Sequence, residues 1–192
     1  VTSLLTNTDV FLINYYLGSS SVALYEYGRK WLEIFEVPFR SFAGVYFTEV
    51  SNMNNGERGK EIWNFITRRA LRTSMFSLLV LPLVYYLAPM LIELISGTRE
   101  PSSILVFRIL SLLVLFIPFD RFLGLSLDVM GFPNINFKKG IILLMTNFLL
   151  DMVVIKLGFG IIGVAAVSII FYAIGSCLSF YWLRIKSIEL FN

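Results

Sequence analysis

Six charged residues occur at helical spacing in one otherwise apolar stretch of the sequence. With 3.6 residues per turn they fall within about 120° of one helical face, over roughly 20 Å of length. A charge that faces lipid costs about 3 kcal/mol even on a lenient insertion scale, so this charged row must line water, a polar path or partner charges. The charged row consists of Glu26, Arg29, Lys30, Glu33, Glu36 and Arg40.

Two interpretations of the charged row stay open at the level of sequence. The three glutamates can pair with the three cations at i,i+3 and i,i+4 spacing and stabilise the structure. Alternatively, some of the cations bind a phosphate or an acidic sugar in a central cavity. The two signs are equal in number, so composition does not decide between them.

Five further polar residues interrupt apolar segments. Arg121 and Asp128 are seven residues apart and share a helical face, and Asn147 and Asp151 are one turn apart. Asp9 lies in the first apolar stretch. An ionisable residue inside a membrane is a functional hypothesis by default, but a bridge between helices that fixes their packing explains these residues equally well.

Several classes of function find no support in the sequence. There is no His and only one cysteine, Cys177, and we find no metal-ligand cluster, cofactor motif or nucleophile–base pair, so we expect neither a cofactor nor an enzyme. The net charge of +3 comes without a basic, aromatic-rich stripe, which gives no indication of nucleic-acid binding. Residues 158–163 match the dinucleotide fingerprint GxGxxG, but no βαβ pattern surrounds them, which favours a tight glycine turn.

The elements that must position these side chains are apolar helices. The chain is 57% hydrophobic and 15% charged, against about 25% charged in soluble domains. Two stretches, 73–92 and 161–183, are free of charge and long enough to cross a membrane. We predict an all-α transmembrane bundle with a cytoplasmic loop and interfacial helix at 51–72 and a kink at Pro118. The six predicted helices are 1–17, 22–50, 73–96, 104–130, 140–157 and 161–183.

The distribution of basic residues predicts the orientation of these spans. If every span crosses, nine Lys and Arg residues lie on one side, in the 51–72 loop, the 131–139 loop and the C-terminal tail. Only Arg99 and Lys156 lie on the other side. Because Lys and Arg prefer cytoplasmic loops, both ends of the chain are predicted to face the cytoplasm.

The order of several motifs resembles a known family. The stretches that carry the resemblance are TDVFLINYYLGSSSVALYEYGRKW, PFRSFAGVYFTEVSN with GERGKE, FRILSLLVLFIPF, MGFPNINFKKG and NFLLDMVVIKLGFGIIGVAAVSII. In this order they resemble the polysaccharide transporters of the O-antigen flippase type. These belong to the superfamily that also contains multidrug exporters and peptidoglycan-precursor flippases.

The resemblance implies that the chain is the C-terminal lobe of a longer flippase with two pseudo-symmetric lobes. Such a protein moves an undecaprenyl-diphosphate-linked oligosaccharide from the cytoplasmic to the outer leaflet of the bacterial cytoplasmic membrane. The implied partners are this lipid-linked oligosaccharide, membrane lipid and the chain's own N-terminal lobe.

The resemblance also implies roles for the polar residues. The cations expected to meet the diphosphate or acidic sugars are Arg29, Lys30, Arg40 and Arg121. The candidates for a polar cavity wall or for packing are Asp9, Glu26, Glu33, Glu36, Asp128, Asn147 and Asp151. The alternatives are a cation-coupled multidrug exporter of the same superfamily and a membrane-embedded glycosyl- or acyltransferase, the latter weakened by the absence of His.

Overall fold

The computed structural model describes residues 2–54 and 59–189, with side chains described except at 2–6, 40, 43, 53–54, 59–61 and 187–189. Within these residues there is no β-strand, which confirms the all-α fold class. A short 3₁₀ segment, Leu112–Leu115, joins the fourth and fifth helices. The α-helices are α1 (Thr2–Leu17), α2 (Ser19–Asn54), α3 (Gly59–Ser96), α4 (Pro101–Ser111), α5 (Ile117–Val129), α6 (Pro133–Lys156) and α7 (Gly160–Glu189).

Two of the described helices are long and apolar enough to cross a membrane, and they indicate a membrane protein. They cover Ile62–Ser96 in α3 and Gly160–Lys186 in α7. A third candidate arises if α4 and α5, which meet at an angle of 43°, form one broken span. The outward face of α3 carries large exposed apolar side chains, including Leu79 and Tyr86, as expected of a surface in contact with lipid.

Three helix boundaries differ from those expected from the sequence. Gly18 alone separates α1 from α2, because its positive φ of 83° lets the chain turn within one residue. The predicted interfacial helix is continuous with the following span in α3, because Ile62, Ile66 and Ala70 form a stripe that is buried within the bundle. α6 begins at Pro133, which favours the first helical position, so the predicted 131–139 loop is largely helical.

The GxGxxG match is a helix–helix turn, as predicted. Gly158, at a φ of 86°, ends α6, and the amide of Phe159 donates a 3.0 Å hydrogen bond to the carbonyl of Val154. Gly163 then packs on the same Val154, where an added Cβ would lie 3.1 Å from the valine Cβ. The glycines therefore serve a close approach of α7 to the end of α6.

The contact between α2 and α4 is also close. A Cβ at Gly28 would lie 2.9 Å from both the Phe107 amide nitrogen and Val106 Cγ1. Beside this contact, the Ser103 hydroxyl donates a 2.8 Å hydrogen bond to the carbonyl of Leu24. Small residues at such contacts let two membrane helices approach closely.

Side chains satisfy backbone carbonyls at the breaks in the membrane helices. Pro89 has no N–H, so the carbonyl of Tyr85 lacks its usual helical donor, and Arg108 Nε lies 3.4 Å from that oxygen. The Arg108 guanidinium also stacks on the Tyr85 ring at 4.7 Å. At the α4–α5 bend, predicted from Pro118, Ser74 donates a 3.0 Å hydrogen bond to the Leu115 carbonyl.

Candidate functional site

A large cavity lined by both charged and apolar side chains lies on one side of the bundle, between α1, α2, the α4–α5 pair, α6 and α7. Its volume is about 1230 Å³. None of the α3 side chains that the structure describes lines the cavity, so the cavity lies apart from the apolar outer face of that helix. The charged residues that line it are Asp9, Arg29, Lys30, Glu33, Glu36, Asp120, Arg121, Asp128 and Lys139.

The charged row of α2 forms a ladder of ion pairs along this cavity. Arg29 makes a bidentate contact with Glu26, with Nε–Oε1 and Nη2–Oε2 distances of 2.9 and 3.0 Å. It also lies 3.4 Å from Glu33. Lys30 Nζ lies 3.4 Å from Glu33 as well, but its side chain is 60% exposed. Lys30 is therefore a far more accessible cation than Arg29, whose side chain is only 14% exposed.

Two more ion pairs join α5 to its neighbours. Arg121 Nη2 lies 3.3 Å from Glu36 Oε2 on α2. Lys139 Nζ, with a side chain only 7% exposed, lies 2.8 Å from Asp120 Oδ1 and donates a second 2.8 Å hydrogen bond to Ser179. A buried cation with a carboxylate and a hydroxyl around it is well compensated. These pairs fix the charged half of α5 between α2 and α6.

A second polar group, the acid cluster, lies at the end of the cavity where α1, α2, α6 and α7 meet. It consists of Asp9, Tyr25, Asn147, Asp151 and Ser168, all buried. Asn147 Nδ2 donates to both carboxylates, at 2.7 Å to Asp9 Oδ1 and 3.0 Å to Asp151 Oδ2. The Tyr25 hydroxyl donates to Asp9 Oδ2 at 3.1 Å. Residues 138 positions apart in the chain thus meet in one site.

One oxygen of the acid cluster has no described partner. Asp151 is 0% exposed, and its Oδ1 receives no hydrogen bond from the described residues. The Asn147 amide holds the Asp9 and Asp151 carboxyl groups near each other, because it donates to both. Because a buried carboxylate oxygen without a donor is costly, this oxygen points to a cation or proton bound between the two acids.

The predicted site residues fall into three groups. Arg29, Lys30 and Arg121 line the cavity, together with the predicted acids Asp9, Glu33, Glu36 and Asp128 and with Asn147. Glu26 and Asp151 lie behind the lining, bonded to Arg29 and to Asn147 respectively. The side chain of Arg40 lies outside the described residues.

Sequence reasoning assigned Lys139 to a loop and gave no role to Tyr25 and Ser168. The spacing of Lys139 could have indicated its role, because it precedes Asn147 by eight residues. The two residues lie near the same face of α6 once that helix begins at Pro133. Tyr25 and Ser168 have no comparable signal. Each is a single residue on a different helix, and only the fold brings it to Asp9.

The chain matches no family model, no curated protein and no solved structure.

Proposed function

We propose that this chain forms one lobe of a flippase that moves a lipid-linked oligosaccharide across the bacterial cytoplasmic membrane. The observation that carries the proposal is the polar cavity of about 1230 Å³ in a chain with membrane-spanning helices. A cavity of this size holds several sugar units, and its lining includes charged and amide side chains that can hydrogen-bond to sugar hydroxyls. The resemblance in motif order described above is what favours the O-antigen flippase type within this proposal.

The proposed topology has six spans, formed by α1, α2, α3, the α4–α5 pair, α6 and α7. α1, α2 and α6 are shorter or more charged than the two clear spans. Six of their charged residues line the cavity and need not meet lipid: Asp9, Arg29, Lys30, Glu33, Glu36 and Lys139. Both chain ends then face the cytoplasm. The open side of the cavity faces the second lobe, and rocking of the two lobes gives alternating access.

The mixture of charges favours a flippase over a multidrug exporter. An exporter of lipophilic cations requires a predominantly acidic and aromatic cavity, whereas the described lining of this cavity has four cations beside five acids. These cations, Arg29, Lys30, Arg121 and Lys139, give the cavity groups that can bind a diphosphate or an acidic sugar. A membrane-embedded acyltransferase would most often use His as its general base, and the chain contains no His.

The acid cluster supports coupling of transport to a monovalent cation. Asp9, Asp151, Asn147 and Ser168 offer oxygen ligands, and Asp151 Oδ1 is a buried oxygen without a donor. The described residues contain no group of three or more acidic or cysteine side chains that could hold a metal ion. A monovalent cation bound between these two buried acids relieves the repulsion of their charges.

Thermal unfolding of the purified chain tests this coupling site. We expect Na⁺ to stabilise the chain relative to choline at equal ionic strength, by about 1.4 kcal/mol at ten times its Kd. Asp151→Asn should abolish the effect, and Asp128→Asn, which changes an exposed acid in the cavity, should retain it. An equal response of the wild type and Asp151→Asn would contradict the coupling site and leave the flippase proposal intact.

Complementation tests the proposed function itself. The product of the complete gene, expressed in a bacterial strain that lacks its own O-antigen flippase, should restore surface polysaccharide. The 192-residue chain alone should insert into the membrane without restoring export, because its cavity is open on the side of the second lobe. Resistance to cationic drugs without polysaccharide export would instead support the multidrug exporter, and absence of both activities would refute a transport function.

A further inference from the structure

Two arginines lie on the outward face of α3, near the start of the helix. The inward face of α3 is buried in the bundle, and its buried residues include Ile62, Ile66, Ala70, Ala88 and Ile92. At about 100° per residue, Arg68 and Arg72 lie within about 40° of each other on the opposite side of the helix. Both side chains are exposed. The two cations therefore share the face of α3 that carries Leu79 and Tyr86.

The exposed apolar part of this face has the length of a membrane span. It runs from Met75 to Leu94 and carries large exposed side chains on every turn. At 1.5 Å per residue this part is about 30 Å long, which equals the hydrocarbon core of a typical bilayer. Arg72 precedes Met75 by about one turn, and Arg68 precedes Arg72 by another. Both cations are thus at the level of the lipid headgroups.

Neither of these two cations is neutralised by the part of the chain that the structure describes. The side chains of Arg68 and Arg72 make no hydrogen bond, ion pair or ring contact with the described residues. Arg69 differs from them, because its guanidinium stacks on the rings of Tyr46 and Phe65, at 5.7 and 5.3 Å. Arg69 therefore belongs to the packing of α2 against α3, whereas Arg68 and Arg72 are available to a ligand.

The opposite end of the same span carries an arginine that is paired. Arg99 is 67% exposed, but its Nε lies 2.7 Å from Glu93 Oε2. Its charge is compensated within the chain, and no such carboxylate is described beside Arg68 or Arg72. A guanidinium without a carboxylate partner can instead bind a phosphate through two parallel hydrogen bonds.

We propose that Arg68 and Arg72 bind the phosphate of an anionic phospholipid whose acyl chains lie along the apolar face of α3. The apolar face identifies the occupant as a lipid, because it continues from the two cations over the full thickness of the hydrocarbon core. Each cation near a membrane surface favours an anionic headgroup by about fivefold. This inference concerns the lipid-facing side of the chain and is independent of what the cavity carries.

Native mass spectrometry of the purified full chain with equimolar phosphatidylglycerol and phosphatidylcholine tests this site. The wild type should retain phosphatidylglycerol over phosphatidylcholine by at least about fivefold. Arg68→Gln combined with Arg72→Gln should lower this preference at least about fivefold. Arg99→Gln is the matched control, because it removes an exposed arginine at the other end of the same span, and it should keep the preference.

The same preference in the wild type and the double variant would overturn the proposal, and so would a wild type without any preference. An equal loss in Arg99→Gln would also overturn it, since the effect would then follow total charge. Both arginines are exposed, so the double variant should keep the helicity of the wild type. Should it fail to fold, the two single variants decide: each should lower the preference by about two- to fivefold, and no change in either would refute the site.

Discussion

Replacing Gly28 by alanine tests whether the α2–α4 contact is as close as the structure shows. The new Cβ would lie 2.9 Å from the Phe107 amide nitrogen and from Val106 Cγ1, and 3.1 Å from the Ser103 carbonyl oxygen. Two of these three atoms belong to the backbone of α4, so rotation of a side chain cannot relieve the contact. The helices must separate by several tenths of an ångström, and the hydrogen bond from Ser103 to Leu24 is weakened.

The expected cost follows from three contributions. Overpacking costs about 1–3 kcal/mol, and loss of a hydrogen bond adds about 1 kcal/mol. Alanine gains about 1 kcal/mol over glycine in a helix interior. The net destabilisation of Gly28→Ala is therefore about 1–3 kcal/mol, and export by the complete protein should fall with its abundance.

Gly44→Ala is the matched control on the same helix. Nothing lies within 4 Å of a Cβ at Gly44, so this variant retains only the gain in helix propensity, up to about 1 kcal/mol. Thermal unfolding of the two variants in one detergent gives their difference directly, and we expect about 2–4 kcal/mol between them. A Gly28→Ala variant as stable as Gly44→Ala would refute the close contact between α2 and α4.

Three further predictions concern single side chains and topology. Trp31→Phe removes a 2.7 Å hydrogen bond to a carbonyl of α3, and should lower the free energy of unfolding by about 0.5–1.5 kcal/mol. Arg121→Gln leaves the buried Glu36 without its ion pair to α5, so membrane abundance should fall, at a typical cost of about 3–5 kcal/mol; unchanged abundance would show that the pair is not structural. A cysteine at Thr98, in a Cys177→Ser background, should be labelled from outside intact cells and one at residue 55 should not; the reverse pattern would contradict the topology.

Periodicity and composition were sufficient to predict the all-α class and the two clear spans. The charge-free stretches at 73–92 and 161–183 lie in the two clear spans, and Pro118 predicted the bend between α4 and α5. The boundary at residue 72 could not be predicted, because basic residues among apolar ones suit an interfacial helix and the end of a long helix equally. Ile62 and Ile66 are buried within the bundle, which shows that this segment belongs to the long helix α3. The residues that bury them lie on helices far away in sequence.

The candidate site was only partly predictable, for a related reason. The spacing of the charged row placed Arg29, Lys30 and Glu33 on one face, and all three line the cavity. The spacing of residues along one helix does not show which residues of separate helices are in contact. The contact of Asp9 with Asn147, 138 positions away, could therefore not be predicted. Convergence of polar residues from four helices is a property of packing, which a single sequence does not report.

Ion pairing and ligand binding are not exclusive roles for the charged row. An anionic ligand can reach Lys30 only in competition with Glu33, which also lies 3.4 Å from Arg29. Glu33→Gln removes this competitor, while Glu26 keeps Arg29 paired, so the fold should be retained. If the cations bind an acidic glycan, the variant should export it with a KM several-fold lower than the wild type at equal protein level. A higher KM for the same glycan would show that Glu33 itself binds the sugar and that the cations of α2 only stabilise the helix.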